Sequence, residues 1–119
     1  MEKTIYYPVA DKKENGIQND HFRLLSIQNI LFDQGMTKKV NEVCGDIAKK
    51  VGIKLLKRDS LPLLKWDNVL KDIKNKTPLD PITVKRFKKT DYYEVIQGRH
   101  RVVASLHEKY THVPVILIN

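Results

Sequence analysis

Residues Tyr93 to Ala104 constrain this chain most. A β-prone run, Tyr93-Glu94-Val95-Ile96-Gln97, meets a single glycine, Gly98, and passes straight into Arg99-His100-Arg101-Val102-Val103-Ala104. Val102, Val103, Leu106 and Tyr110 then fall on one face of a helix. A strand must therefore turn directly into a helix at Gly98, where glycine permits positive φ or the close approach of a ligand. The first turn of a helix leaves amide donors unpaired, and its dipole favours negative charge there. Two arginines and a histidine occupy that turn, where acidic residues would suit the helix better. The bland reading, a helix that happens to start with basic residues, runs against the dipole. The pattern instead describes an anion site. Arg99 and Arg101 supply forked donors for phosphate oxygens, and His100 supplies a group that titrates near neutrality.

The rest of the chain predicts the frame around that turn. Ile5 to Val9, interrupted by Pro8, reads as an edge strand or extended arm. Asp11 to Asp20 reads as a loop with an Asn15-Gly16 turn. Phe22 to Phe32 is apolar in a helix-like way, and Asp33-Gln34-Gly35 interrupts it. Thr37 is a candidate cap for a helix marked by Val40, Val43, Cys44, Ile47 and Val51, which Gly52 can end. Ile53 to Lys57 reads as a short strand, Asp59 to Pro62 as a turn, and Trp66, Val69, Leu70 and Ile73 as one helix face. Ile82 and Val84 begin a strand that returns through a hairpin loop, Lys88 to Asp91, into Tyr92 to Gln97. Val113 to Ile118 closes the series, with Pro114 placing its start at an edge or bulge. The expected architecture is α+β: a small mixed β-sheet with packed helices. Residues 1–51 form an N-terminal arm and helical extension, and 52–119 form the site-bearing domain. The two halves are expected to pack together, since no Gly/Ser linker separates them.

Charge narrows the partners. Among 119 residues, 22 Lys and Arg oppose 14 Asp and Glu, a formal charge of +8, which attracts nucleotides, nucleic acid or an acidic surface. Lys85, Arg86, Lys88 and Lys89 share one hairpin beside Tyr92 and Tyr93, and basic groups next to aromatics can grip DNA or RNA by charge and stacking. Against this stands a solvated loop with core tyrosines. The single cysteine, Cys44, excludes an internal disulfide and a Cys-rich zinc site, and it reads as a buried structural thiol. His100, His107 and His112 lack the spacing of a compact metal motif, so no metal site is expected. Asp67 and Asp72 share no helix face, and Trp66 reads as core. No run of about 18 apolar residues and no secretory signal are evident. An intracellular protein, cytoplasmic or nucleoid-associated, is expected.

The strand–Gly-x-x-Arg–x-x-Ala–helix pattern at Gly98, Arg101 and Ala104 resembles the signature of the ParB/sulfiredoxin superfamily. Pro81-Ile82-Thr83-Val84 resembles that family's Pro-Ile-x-Val strand, Ile53 to Leu61 its opening strand and turn, and Val113-Pro114-Val115 its closing strand. The resemblance covers roughly residues 52–119. It implies a ParB-like, sulfiredoxin-like fold and a nucleotide, CTP or ATP, with Mg²⁺ for any hydrolysis or kinase step. Its phosphates would lie on Gly98, Arg99, His100 and Arg101, with Lys88 where the sulfiredoxin-like pattern has a phosphate-facing lysine. His100 and Arg101 are the candidate catalytic pair, and Glu94 is the nearest acidic group in sequence. Arg99 stands where sulfiredoxins carry their reactive cysteine, so a reductase of that type is not expected. It also stands where ParB proteins usually carry glutamate, which leaves the nucleotide's identity open. Hydrolysis and a homodimer are left open too. The alternative function is a catalytically inactive DNA- or RNA-binding protein that uses the basic hairpin, Lys85 to Lys89.

Overall fold

The structure, a computed structural model, describes residues 4–11 and 21–118. The expected Asn15-Gly16 turn lies outside them. Six strands, β1 (Arg23–Ser26), β2 (Ile30–Phe32), β3 (Lys54–Leu55), β4 (Ile82–Arg86), β5 (Tyr93–Gln97) and β6 (His112–Ile118), form one mixed sheet in the order β1-β6-β4-β5-β2-β3. Four helices join them: α1 (Gln34–Val43), α2 (Asp46–Val51), α3 (Trp66–Lys74) and α4 (Arg99–His107). The expected α+β class is the one found.

The segment from Phe22 to Phe32 is not helical. It forms β1, a single 3₁₀ turn over Ile27–Asn29, and β2. The reason lies in where β2 sits. It runs parallel to both β5 and β3, between them, and all three of its residues are buried. A strand buried on both faces reads as an unbroken apolar run, which periodicity cannot separate from a helix. β1 lies at the opposite edge, antiparallel to β6. Segments from both sides of position 51 thus share one sheet.

Three other local readings change. α1 is capped by Asp33, whose Oδ1 accepts from the Met36 amide at 3.0 Å, while the Thr37 hydroxyl donates to the Phe32 carbonyl. The single helix expected through Val51 breaks at Gly45, φ +44, into α1 and α2. Tyr110 falls beyond α4, which stops at His107 ahead of the left-handed Lys109.

β6 is an interior strand, contrary to the expectation from Pro114. The proline is tolerated because the parallel pairing to β4 starts at Val115. Pro114 itself pairs with Leu24 of β1. A missing amide there leaves the β4 ladder intact.

α4 packs against β4 and β6 and is flanked by α3, α1 and α2. Its residues Val102 to Leu106 are buried without a break, so the helix is held firmly in the core. The described N-terminal segment joins the same core. Tyr7 is fully buried, and Val9 makes a lone parallel bridge to Leu79.

Candidate anion site at the start of α4

β5 delivers the chain to Gly98, which adopts φ +106 and serves as the N-cap of α4 with no side-chain cap. The positive φ favours glycine, and a Cβ there would sit 3.0 Å from both the Arg101 guanidinium and Ile82, pressing on both side chains. The first intrahelical bond runs from the Val102 amide to the Gly98 carbonyl. The amides of Arg99, His100 and Arg101 lie ahead of it, in the turn whose donors have no helical acceptor. The same helix start borders a cleft of about 360 Å³ lined by Lys65, Asp80, Gln97, Gly98, His100 and Arg101, among others.

The three basic side chains of this turn behave differently. Arg99 reaches across to α1 and the loop before α3. Its Nε lies 2.9 Å from Asp33 Oδ2, an ion pair not aligned as a hydrogen bond. Its Nη2 donates to Asp33 Oδ1 and to Ser60 Oγ, both at 3.1 Å, and to the Leu61 carbonyl. Ser60 in turn donates to Asp33 at 2.8 Å and accepts from the Gly35 amide at 2.7 Å. Gly35 is needed here because a Cβ would lie 2.1 Å from the Leu61 carbonyl oxygen and 2.3 Å from the Arg99 guanidinium. Arg101 lines the cleft and donates to the carbonyls of Asp80 and Pro81. The Tyr7 hydroxyl donates to that same Asp80 carbonyl at 2.6 Å. Burial holds the Tyr7 phenol far above its ordinary pKa, with Arg101 pulling partly the other way.

His100 faces the cleft, and its Nε2 accepts from the Lys65 amide at 3.1 Å. Burial lowers its pKa from 6.5, and Arg99, Lys65, Arg101 and Lys39 add to the effect. The imidazole is therefore neutral at pH 7, and with Nε2 engaged by the Lys65 amide its Nδ1–H is the group that can orient a ligand.

The fold brings Gly98, His100 and Arg101 to one cleft and anchors Arg99 beside it. It does not bring Lys88 there. β4 and β5 are antiparallel, with Gly98 at one end of the hairpin and Lys88 in the turn at the other. Five strand residues, roughly 17 Å, separate the two. Lys88 adopts φ +52, with its Nζ 5.1 Å from the centre of the Phe87 ring. Lys85, Arg86 and Lys89 are exposed at that same end, where Arg86 donates to the Thr90 carbonyl at 2.7 Å. Glu94 is paired with Arg58 at 2.6 Å.

Sequence reasoning missed Lys65, Asp80 and the Asp33–Ser60 pair. Lys65 precedes α3 and Asp80 precedes β4, so only the packing of those elements against α4 places them at the cleft. Asp33 stands 66 positions from Arg99 in sequence, and no local pattern joins them. Among the described residues, no group of three or more His, Cys, Asp or Glu is placed to hold a metal ion. Asp80 is the acidic residue of the cleft lining. No described helix is long and apolar enough to cross a membrane.

Fold and site together define an α+β module with an uncapped helix start opening on a basic cleft. The ParB N-terminal domain model matches residues 36–119, and the chain belongs to that family. No curated protein matches it.

Proposed function

We propose that this ParB-like module binds a nucleotide, CTP or ATP, with its phosphates on the first-turn amides of α4. The observation that supports this best is the uncapped Gly98 N-terminus opening on a cleft that also holds Lys65, His100 and Arg101. Amide donors and the helix dipole attract the phosphates, and Lys65 adds a flexible charge. Arg101 shapes the loop from below through the Asp80 and Pro81 carbonyls. Arg99 is committed to Asp33, so the amides rather than its guanidinium carry the contact. A Mg²⁺ ion accompanying the nucleotide would be held by Asp80, the carboxylate of the cleft lining, and would supply neutralising charge to the phosphates. For hydrolysis, the Nδ1–H of neutral His100 would orient the attacking water or a phosphate oxygen, and Arg101 would stabilise charge developing on phosphate.

Calorimetric titration with CTP, ATP and ADP, with and without Mg²⁺, tests the reading. Lys65→Glu should weaken binding about tenfold or more by placing an anion at the cleft mouth. Arg101→Ala should abolish binding, with circular dichroism monitoring the fold, because Arg101 also ties down two backbone carbonyls. Nucleotide binding that Lys65→Glu leaves unchanged would refute this placement.

A second reading, DNA or RNA binding through Lys85, Arg86, Lys88 and Lys89, is supported by their shared exposure at one hairpin end. It requires affinity for an oligonucleotide that falls steeply with salt and drops in Lys85→Glu/Lys89→Glu. Salt-insensitive binding counts against it. Association with nucleic acid would make the protein intracellular and nucleoid-associated. A homodimer is a further element of this proposal, and sedimentation velocity with and without nucleotide tests it.

A further inference from the structure

A separate groove of about 610 Å³ lies between α1 and the β3 edge of the sheet. Thr37, Lys38 and Asn41, three and four residues apart on one face of α1, form one wall. Leu55, Lys57, Arg58 and Asp59 form the other. Among the described residues β3 pairs only with β2, so its far side is an open edge of the described sheet. The Leu56 amide donates to the Phe32 carbonyl at 2.8 Å, which turns Lys54 and Leu56 toward β2. Peptide groups alternate along a strand, so the amide and carbonyl of Leu55 face outward into solvent. Leu55 is 59% exposed there. An edge with free main-chain groups, an exposed apolar side chain and a helix wall a groove's width away is the geometry that accepts an added strand.

We propose that this groove docks an extended, acidic peptide segment of a partner protein as a further strand on β3. Charge selects the occupant. Lys38, Lys57 and Arg58 line the groove against Asp59 alone, and Arg58 keeps more than half its side chain exposed while paired with Glu94. Lys54 adds a further cation on the strand itself, with its Nζ 5.5 Å from the Tyr92 ring centre. A second copy of this chain fits poorly, because antiparallel edge-to-edge pairing centred on Leu55 and Leu56 would set the Lys54 of each copy against the Lys57 of the other. Side chains on the groove face of the added strand would meet Lys38, Lys57 and Leu55, and those on the opposite face would meet Lys54, so carboxylates find a cation on either face.

The test is fluorescence anisotropy with a short labelled peptide alternating glutamate and valine. Its lysine–valine counterpart and a short single-stranded oligonucleotide serve as comparisons. Wild-type protein should bind the acidic peptide and not the basic one. Binding should slow hydrogen exchange at the Leu55 amide. Leu55→Pro removes that outward donor and leaves the bonds to Phe32 in place. It should weaken binding about tenfold, and Lys38→Glu/Lys57→Glu by at least as much. Absence of binding, or binding without protection of the Leu55 amide, overturns the proposal. So does binding that falls with the charge reversals but not with Leu55→Pro. An oligonucleotide that displaces the peptide and ignores Leu55→Pro assigns the groove to nucleic acid instead.

Discussion

Replacing Arg99 with alanine separates an arginine that serves a ligand from one that holds the fold. Its guanidinium contacts both Asp33 oxygens, the Ser60 hydroxyl and the Leu61 carbonyl. The side chains of Arg99 and Asp33 are 21% and 14% exposed. That places the pair between exposed ion pairs, worth about 0–1 kcal/mol, and fully buried ones, whose breakage costs about 3–5 kcal/mol. Asp33 keeps its bonds from Met36 and Ser60 in the variant, which limits the damage. The expected loss is about 2–3 kcal/mol, a fall in midpoint temperature of roughly 10 °C for a domain of this size. Urea unfolding measures it. Asp33→Asn isolates the charge, since asparagine also caps helices well. The two substitutions should couple by about 1–2 kcal/mol in a double-mutant cycle. A loss below about 0.5 kcal/mol for Arg99→Ala, the range of ordinary surface changes, would refute this reasoning. So would strict additivity with Asp33→Asn.

Gly98→Ala should destabilise the protein by about 1–3 kcal/mol in urea, combining positive φ with a Cβ forced against Arg101 and Ile82. Tyr7→Phe should cost about 1 kcal/mol by removing the donor to the Asp80 carbonyl. His100 titrates below its unfolded value of 6.5. As pH falls past that value the unfolded chain takes up a proton the folded one refuses, so stability should decline until the folded pKa is reached. His100→Gln should flatten that slope, and phosphate bound at α4 should raise the His100 pKa in an NMR titration. Cys44 is buried, and burial pushes its thiol up to about 11, so a thiol reagent should label it slowly, through opening of the fold, rather than at once.

Much of the frame was legible because its signals are local. The strand-to-helix turn at Gly98 rests on one glycine between two periodicities, and it stands where expected. The faces of α3 and the β4–β5 hairpin are likewise short-range patterns. The stretch before Asp33 was not legible, because a strand buried from both sides loses the alternation that marks a strand. Pro114 misled for a similar reason. Its missing amide is a local fact, but whether a neighbouring strand needed that amide depends on where β4 begins to pair.

The candidate site divides along the same line. By itself the sequence determined that a glycine, two arginines and a histidine would gather at the start of a helix, since adjacency along the chain is enough for that. Only the tertiary structure decided what each does. Packing of α1 and the loop before α3 against α4 draws Arg99 to Asp33, and Tyr7 and Arg101 meet on the Asp80 carbonyl. Lys65 comes to the cleft through the placement of α3 against α4, and Lys88 is carried away by the length of its hairpin. Charge at a helix start is written in neighbouring residues. The partner that claims that charge is chosen by contacts between elements far apart in the chain, which no local periodicity encodes.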